Sequence, residues 1–340
     1  MKNIIISDVT LRDGNHAVKH QINKHVINLY SKFAEENKID ILEVGHGNGL
    51  GASSLTIGRS KVSNLDSIKI AKKNLKKTKL SVHSIPGFST LDDVQQAIDN
   101  GVDIIRVGCN SSDIDIIERQ FLYCKKNKVE SWCVFMMFHQ IYLNNKYISI
   151  VKNLKKIGVK TFIIMDSAGI LLPEDVKKIF TTLKKINVRA GFHGHNNLGC
   201  AVANSIEAVK YGGKILDCAI RGFGAGAGNT QLEVIIALLN KLKISKQFNV
   251  REFYKMSDNF VGVLKKNKIE YKDIFTNPLS ISTGLNGLFS GFSPKIKLFA
   301  EKYKVDPFDI SDLASEKQLA AGQDDLLMNI AHNLSIKKNR

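Results

Sequence analysis

No stretch of this 340-residue chain is apolar for the length of a membrane span, so a helical membrane protein is not expected. The first residues run straight into a short apolar strand, without the charged and apolar regions of a secretory signal. Cysteine is sparse: Cys109, Cys124, Cys133, Cys200 and Cys218 are scattered, odd in number and never in a CxxC pair. They read as reduced thiols of a cytoplasmic protein rather than a disulfide framework. No GxGxxG follows the first strand, which weakens a doubly wound dinucleotide fold. There is no internal repeat and no low-complexity segment. The net charge is +17, yet no aromatic-interleaved basic stripe accompanies it, so nucleic acid is not the expected partner. The excess is mostly lysine on the faces of expected helices, as at Lys72-Lys73, Lys76-Lys77 and Lys155-Lys156. Steering of anionic substrates is a secondary role for it.

What is present is an ordinary globular composition, 44% hydrophobic and 24% charged, long enough for one large α/β domain and a smaller one. Eight β-branched apolar runs read as strands: Ile4–Ser7, Ile39–Val44, Lys79–His83, Ile104–Gly108, Ser131–Met136, Thr161–Met165, Arg189–Phe192 and Ile215–Ile220. Amphipathic stretches such as His25–Glu36, Leu91–Asn100, Ile114–Lys126, Tyr147–Ile157, Glu174–Ile186 and Ala201–Tyr211 lie between them. Strict alternation of this kind predicts parallel βαβ units, and eight of them predict a closed (β/α)8 TIM barrel. Asp13, His46, Ser84, Asn110, His139, Ser167, His193, His195 and Arg221 fall at or just beyond the C-terminal ends of the strands, the rim on which barrel enzymes build their sites. The pattern changes near residue 265. We expect residues 1–264 to form the barrel. Residues 265–340 should form a small helical domain, with helical periodicity at Ile296–Tyr303 and Asp324–Leu334.

Two segments carry chemistry. Ser7-Asp8-Val9-Thr10-Leu11-Arg12-Asp13-Gly14-Asn15-His16 packs an arginine, two aspartates and a histidine into the exit of the first strand, a mixture no core needs. Phe192-His193-Gly194-His195 sets two imidazoles on one face of the seventh strand, because residues i and i+2 point the same way. Two imidazoles and one carboxylate, for which Asp13 is the candidate, make a divalent-metal triad with open positions. Without a thiolate, the set suits Mn²⁺, Co²⁺, Fe²⁺ or Zn²⁺ better than Ca²⁺. Arg12 is one of eight arginines; it would bind a carboxylate or enolate oxygen, or else form a structural ion pair with Asp8 or Glu43. His16 is the candidate general base, since an imidazole titrates near neutrality. His20 is more plausibly structural. Glycine runs at Gly45–Gly51 and Gly222–Gly228 read as close backbone packing around the site rather than as phosphate cradles.

Thr10-Leu11-Arg12-Asp13-Gly14 with His16 and His20, Glu43-Val44-Gly45-His46-Gly47, Gly49-Leu50-Gly51, Ser53-Ser54, Met165-Asp166-Ser167, His193-Gly194-His195, Gly224–Asn229 and Gly322-Gln323-Asp324-Asp325 together resemble the 4-hydroxy-2-oxovalerate aldolases over nearly the whole chain. The resemblance implies a class II pyruvate aldolase that splits a 4-hydroxy-2-oxo acid into pyruvate and an aldehyde. It implies Mn²⁺, or Co²⁺ or Mg²⁺ in its place, on Asp13, His193 and His195. It further implies Arg12 on the pyruvate enolate, His16 as base on the 4-hydroxyl, and Ser167 in contact with substrate. An acylating aldehyde dehydrogenase would dock on the helical C-terminal domain, and an oligomer is compatible with this. The chain departs from the pattern at Phe289, where the family has a tyrosine beside the substrate. It also departs at Asn48, Asn196 and Phe138, which suggest a reshaped aldehyde pocket and an acceptor other than acetaldehyde. A condensing synthase or acyl-CoA lyase on the same barrel, and a non-catalytic barrel subunit, are the competing readings.

Overall fold

A computed structural model describes residues 4–110, 114–142, 146–245, 248–271, 275–317 and 319–338. Eight parallel strands close on themselves in sequence order: β1 (Ile5–Leu11), β2 (Ile41–Val44), β3 (Lys79–Ser84), β4 (Ile104–Cys109), β5 (Glu130–Phe135), β6 (Thr161–Asp166), β7 (Arg189–Gly194) and β8 (Ile215–Cys218). β8 returns to β1 through the register Ile5↔Ile215 to Asp8↔Cys218, which leaves no open edge. The expected (β/α)8 barrel is the observed fold. Among the described residues, no helix is long and apolar enough to cross a membrane.

The strands alternate in the sense a barrel requires. One set of side chains, including Ile6, Leu42, Val82, Ile105, Cys133, Phe162 and Leu216, packs outward against the helices in a continuous core. The opposite set forms a separate interior cluster with Ile41, Ile104, Trp132, Val134, Ile163 and Ile215. Parity along the strands then aims Glu43, Arg106 and Asp217, two residues beyond Ile41, Ile104 and Ile215, into the same interior. The barrel therefore has an apolar floor and a charged upper layer.

Helices follow the strands, and the first three are capped by short polar side chains. Asn23, Ser63 and Thr90 each accept a backbone N–H of the first turn that follows. The helix Val250–Lys266 ends on the barrel core through Phe253, Phe260 and Leu264. The chain then builds a second apolar cluster from Leu288, Phe292, Ile296, Ala300, Ile310, Ala314, Leu327 and Ala331. Its helices are Pro278–Leu285, Ser293–Tyr303, Pro307–Ser315 and Asp324–Lys338. The polar stretch 265–277 includes residues 272–274, which lie outside the described residues.

This C-terminal region is fastened to the top of the barrel. Ser290 donates its backbone N–H to the Ser167 carbonyl at 2.8 Å, and its hydroxyl reaches Asn197 Oδ1 at 2.7 Å. Asn197 in turn donates to the Ser280 carbonyl at 3.0 Å, and Thr276 donates to the Asn196 carbonyl at 2.7 Å. Gly226 has φ +58°, and any side chain there would collide with Ser290. At Gly226 the glycine run after β8 is thus close packing between barrel and tail, while Gly222 and Gly224 pack against Asn229 of the same loop.

Candidate active site and metal centre

β1 ends in a 3₁₀ turn, Asp13–Val18. In that geometry residues three apart eclipse one another, so His16 comes to lie beside Asp13. His16 Nδ1 is 3.0 Å from the Asp13 carbonyl oxygen and 3.1 Å from Asp13 Oδ1. With Nδ1–H donated there, Nε2 is left as the basic nitrogen; Asn48 Oδ1 stands 3.1 Å from it and accepts a hydrogen bond once Nε2 has taken up a proton. Gly47 makes the approach possible, because a Cβ at that position would sit inside the His16 ring.

β7 carries His193 and His195 into the same corner. Among the described residues, Asp13, His193 and His195 form a group whose ligand atoms all lie within 4.8 Å of one another, and all three are buried. His193 Nε2 is 3.6 Å from Asp13 Oδ2, and His195 Nε2 is 4.0 Å from the same oxygen. His193 Nε2 is buried and has no hydrogen-bond partner. Its other nitrogen is taken: Nδ1 lies 3.0 Å from Asp217 Oδ2. A histidine pinned by a carboxylate on one nitrogen and left unpaired on the other is arranged as a metal ligand. Asn229 Nδ2 donates to Asp13 Oδ2 at 2.6 Å and orients that carboxylate.

The charge balance points the same way. Asp13, Glu43 and Asp217 surround the corner as three buried carboxylates, against the guanidiniums of Arg12 and Arg106. One negative charge is left over, and a divalent cation suits the residues present. Burial alone would push the Asp13 carboxyl up, but the Arg12 guanidinium, His16 and His193 outweigh it and hold it well below the usual carboxylate range. Burial pushes the His195 imidazole down to about 3, which keeps the ring neutral and its lone pair available.

Arg12 is clamped rather than free. Its Nε donates to Glu43 Oε2 at 2.9 Å, and its Nη1 donates to Asp13 Oδ1 at 3.0 Å and to the Gly47 carbonyl at 3.1 Å. Nη2 is buried and has no partner. Of the two ion pairs considered from sequence, the structure forms the one with Glu43. Asp8 instead accepts from Thr10 and Tyr30, a separate buried cluster beneath the turn.

A cavity of about 280 Å³ opens beside this corner, lined among others by His16, His20, Asn48, Leu55, Phe289 and Lys295. His20 takes φ +61° and stacks on His46 at 3.8 Å between ring centroids, with its edge toward His16 at 5.0 Å. Phe289 enters from the C-terminal region and packs edge-on against Phe292 at 5.5 Å. The structure therefore brings Arg12, Asp13, His16, His193 and His195 together, with Phe289 across the cavity from His16. Ser167, at the exit of β6, is fully buried and its hydroxyl accepts the Met137 N–H at 2.9 Å; like Arg12, Asp13, His193 and His195, it is not among the residues lining the cavity.

Two of the departures from the family pattern have nothing to do with a pocket. Phe138 is fully buried against Phe135, Tyr142 and Tyr147, which corrects the expectation that it reshapes the aldehyde pocket: it is an outer-core residue. Asn196 accepts the Ala201 N–H at 3.2 Å, at the start of the following helix. Asn48 does line the cavity. Sequence reasoning missed Arg106 and Asp217 altogether. Their signal was a lone charge in the middle of an apolar strand, at a parity that points inward.

The fold and the site define a metal-type lyase barrel of the HMGL-like class, and a family model of that description matches residues 3–260. A second model, described as a DmpG-like communication domain, matches residues 274–336. The 4-hydroxy-2-oxovalerate aldolase of Pectobacterium atrosepticum is 39% identical over 340 residues, covering 99% of this chain and 97% of that protein. The 4-hydroxy-2-oxovalerate aldolase of Spirochaeta aurantia is 40% identical over 339 residues, covering 99% of this chain and 98% of its own. Among solved structures, the carboxyl transferase domain of Rhizobium etli pyruvate carboxylase superposes with a TM-score of 0.83 at 14% identity, covering 99% of this chain and 62% of that one, a likeness of fold. The chain belongs to the 4-hydroxy-2-oxovalerate aldolase family, a family of carbon–carbon lyases.

Proposed function

We propose that this enzyme cleaves a 4-hydroxy-2-oxo acid, such as 4-hydroxy-2-oxopentanoate, to pyruvate and an aldehyde, and that Asp13, His193 and His195 hold a Mn²⁺ ion, with Co²⁺ or Mg²⁺ as substitutes. The observation that carries the reading is the buried, unpaired Nη2 of Arg12 beside an Asp/His/His donor set and a candidate base. When bound, the cation supplies Lewis-acid polarisation of the 2-oxo group. His16 Nε2 takes the proton from the 4-hydroxyl, and the C3–C4 bond breaks as the C4 carbonyl forms. The bonding electrons pass into the three-carbon fragment, whose enolate oxygen accepts a hydrogen bond from Arg12. Protonation at C3 then gives pyruvate. Phe289 and Asn48 form part of the wall that the aldehyde portion meets, and Ser167, at the exit of β6, holds the loop after β5 through the Met137 N–H.

The match to a communication domain supports a further part of the reading. Residues 265–340 form a domain separate from the 1–264 barrel, and that domain docks an acylating aldehyde dehydrogenase that receives the aldehyde. The unpaired thiols suit a cytoplasmic enzyme.

The test is pyruvate release from 4-hydroxy-2-oxopentanoate and longer homologues, measured on chelator-stripped protein before and after Mn²⁺ is added. Cleavage that depends on the added ion is expected. Metal-independent cleavage, or none with any 4-hydroxy-2-oxo acid, would sink the reading.

A further inference from the structure

The chemistry described above leaves Arg106, on β4, and Asp217, on β8, without a role. Both side chains are 0% exposed and paired with each other. Arg106 Nη1 also donates to Glu43 Oε2 at 3.0 Å and to Ser7 Oγ at 3.3 Å. Each carboxylate passes its contact onward through the same oxygen. Glu43 Oε2 accepts from Arg12 Nε at 2.9 Å, and Asp217 Oδ2 lies 3.0 Å from His193 Nδ1. One guanidinium therefore reaches both halves of the site, the arginine and a donor histidine, through one carboxylate each. Trp132 lies below it, with the ring centroid 6.0 Å from the guanidinium carbon, and closes the layer toward the apolar floor.

A plain structural ion pair is the competing explanation. Buried ion pairs seldom improve on apolar packing of the same volume, and this one sits directly above a floor of Ile, Val and Trp that could have continued upward. Barrel closure gives no reason for both carboxylates to hand their bound oxygen to residues of the site.

We infer that Arg106 is a positioning residue. By holding Asp217 and Glu43 in one planar fork, it fixes the His193 ring with Nε2 toward Asp13 and fixes Arg12 beside it. Cation affinity and enolate stabilisation are then set together by a single buried group. This inference rests on the aldolase reading above.

The experiment compares Arg106→Lys, Asp217→Asn and Glu43→Gln in the full chain. Mn²⁺ uptake by the metal-free protein is read as loss of the free-ion electron paramagnetic resonance signal, with pyruvate C3 proton exchange and Tm alongside. Lysine keeps the charge but cannot span two carboxylates with a planar fork. Arg106→Lys should weaken Mn²⁺ binding by about 10–100-fold, the range seen when a partner of a metal-bound histidine is lost, and should also slow C3 exchange. Asp217→Asn should reproduce the loss of affinity, whereas Glu43→Gln should slow exchange with Mn²⁺ affinity within about twofold of the unaltered protein. Ile104→Val, lower on the same strand, is the control for destabilisation alone and should lower Tm without moving affinity. If Arg106→Lys does not fold, the split between Asp217→Asn and Glu43→Gln still decides the matter. Lowered Tm with unchanged Mn²⁺ affinity in both Arg106→Lys and Asp217→Asn would reduce Arg106 to a core ion pair. If the unaltered protein binds Mn²⁺ but cleaves no 4-hydroxy-2-oxo acid, the aldolase reading fails, and the affinity comparison still judges Arg106. If it binds no Mn²⁺, both fail.

Discussion

The Asp/His/His corner and the cavity beside it are built on opposite plans. In the corner, Asp13, His193, Arg12, Glu43, Arg106 and Asp217 are all nearly inaccessible, and each is held by at least one charged neighbour. In the cavity, His16 and Phe289 are only half-buried, Leu55 is 81% exposed, and the lining comes from five separated stretches of chain. Charges in a low-dielectric layer must be paired in one geometry or not at all, so the corner tolerates little change. The cavity wall pays no such penalty and is free to vary.

The sharpest way to break the contrast is to remove a ligand from the corner. His195→Ala should abolish both Mn²⁺ binding and lyase activity, while the Tm of the metal-free protein changes little, because His195 Nδ1 has no hydrogen-bond partner to lose. A stoichiometric ion retained in that variant would refute the ligand set. His16 stands on the border between the two regions. A positioned base contributes about 10²–10⁴-fold, so His16→Ala should lower kcat by that order with Mn²⁺ affinity intact. Unchanged turnover would move the base to His20 or to solvent. Arg12→Lys keeps the charge and loses the fork. We expect at least about 10²-fold in kcat, comparable to losing one oxyanion donor, with pyruvate C3 exchange falling in parallel. Normal exchange with lost cleavage would place Arg12 on the aldehyde side. The mildest change belongs to the cavity. Phe289→Tyr adds a hydroxyl to the cavity wall. It should shift the ratio of kcat/KM for the two C4 enantiomers by one hydrogen bond, about 0.5–1.5 kcal/mol. Equal ratios before and after would leave Phe289 a packing residue between tail and barrel.

The same contrast governs what could be read from sequence. The corner's ligands were legible because each belongs to a short local pattern: Arg-Asp at the exit of one strand and His-x-His along another. The clamp beneath them was not, because Arg106 and Asp217 meet only once the barrel closes, 111 positions apart. The reading there followed the apolar runs and passed over the charge within each. Phe138 shows the reverse error: it lies past the end of β5, in a turn where Met137 takes φ +47°, and there the chain turns the ring outward into the helix layer. The helix Asn64–Asn74 was legible only at its lysine pair Lys72-Lys73, because it buries only Ser67, Ile68 and Ala71, too few apolar positions to show a period. Helix ends were poorly marked as well. Lys38, Lys128, Lys268 and Lys304 adopt the left-handed conformation usually left to glycine, so the customary stop signal is absent from those positions.

Ser290 joins the loops after β6, β7 and β8 to the helical tail through three hydrogen bonds, and Phe289, Pro294, Lys295, Gly322 and Asp324 come down with it to line the cavity. The tail is thus part of the cavity wall as well as a separate apolar cluster. A chimaera that exchanged residues 275–338 with those of a relative would import that relative's share of the wall along with its communication domain. Heredity of the two traits is therefore linked: a lineage that recombines this segment changes the cavity wall and the outer surface of the communication domain in a single event.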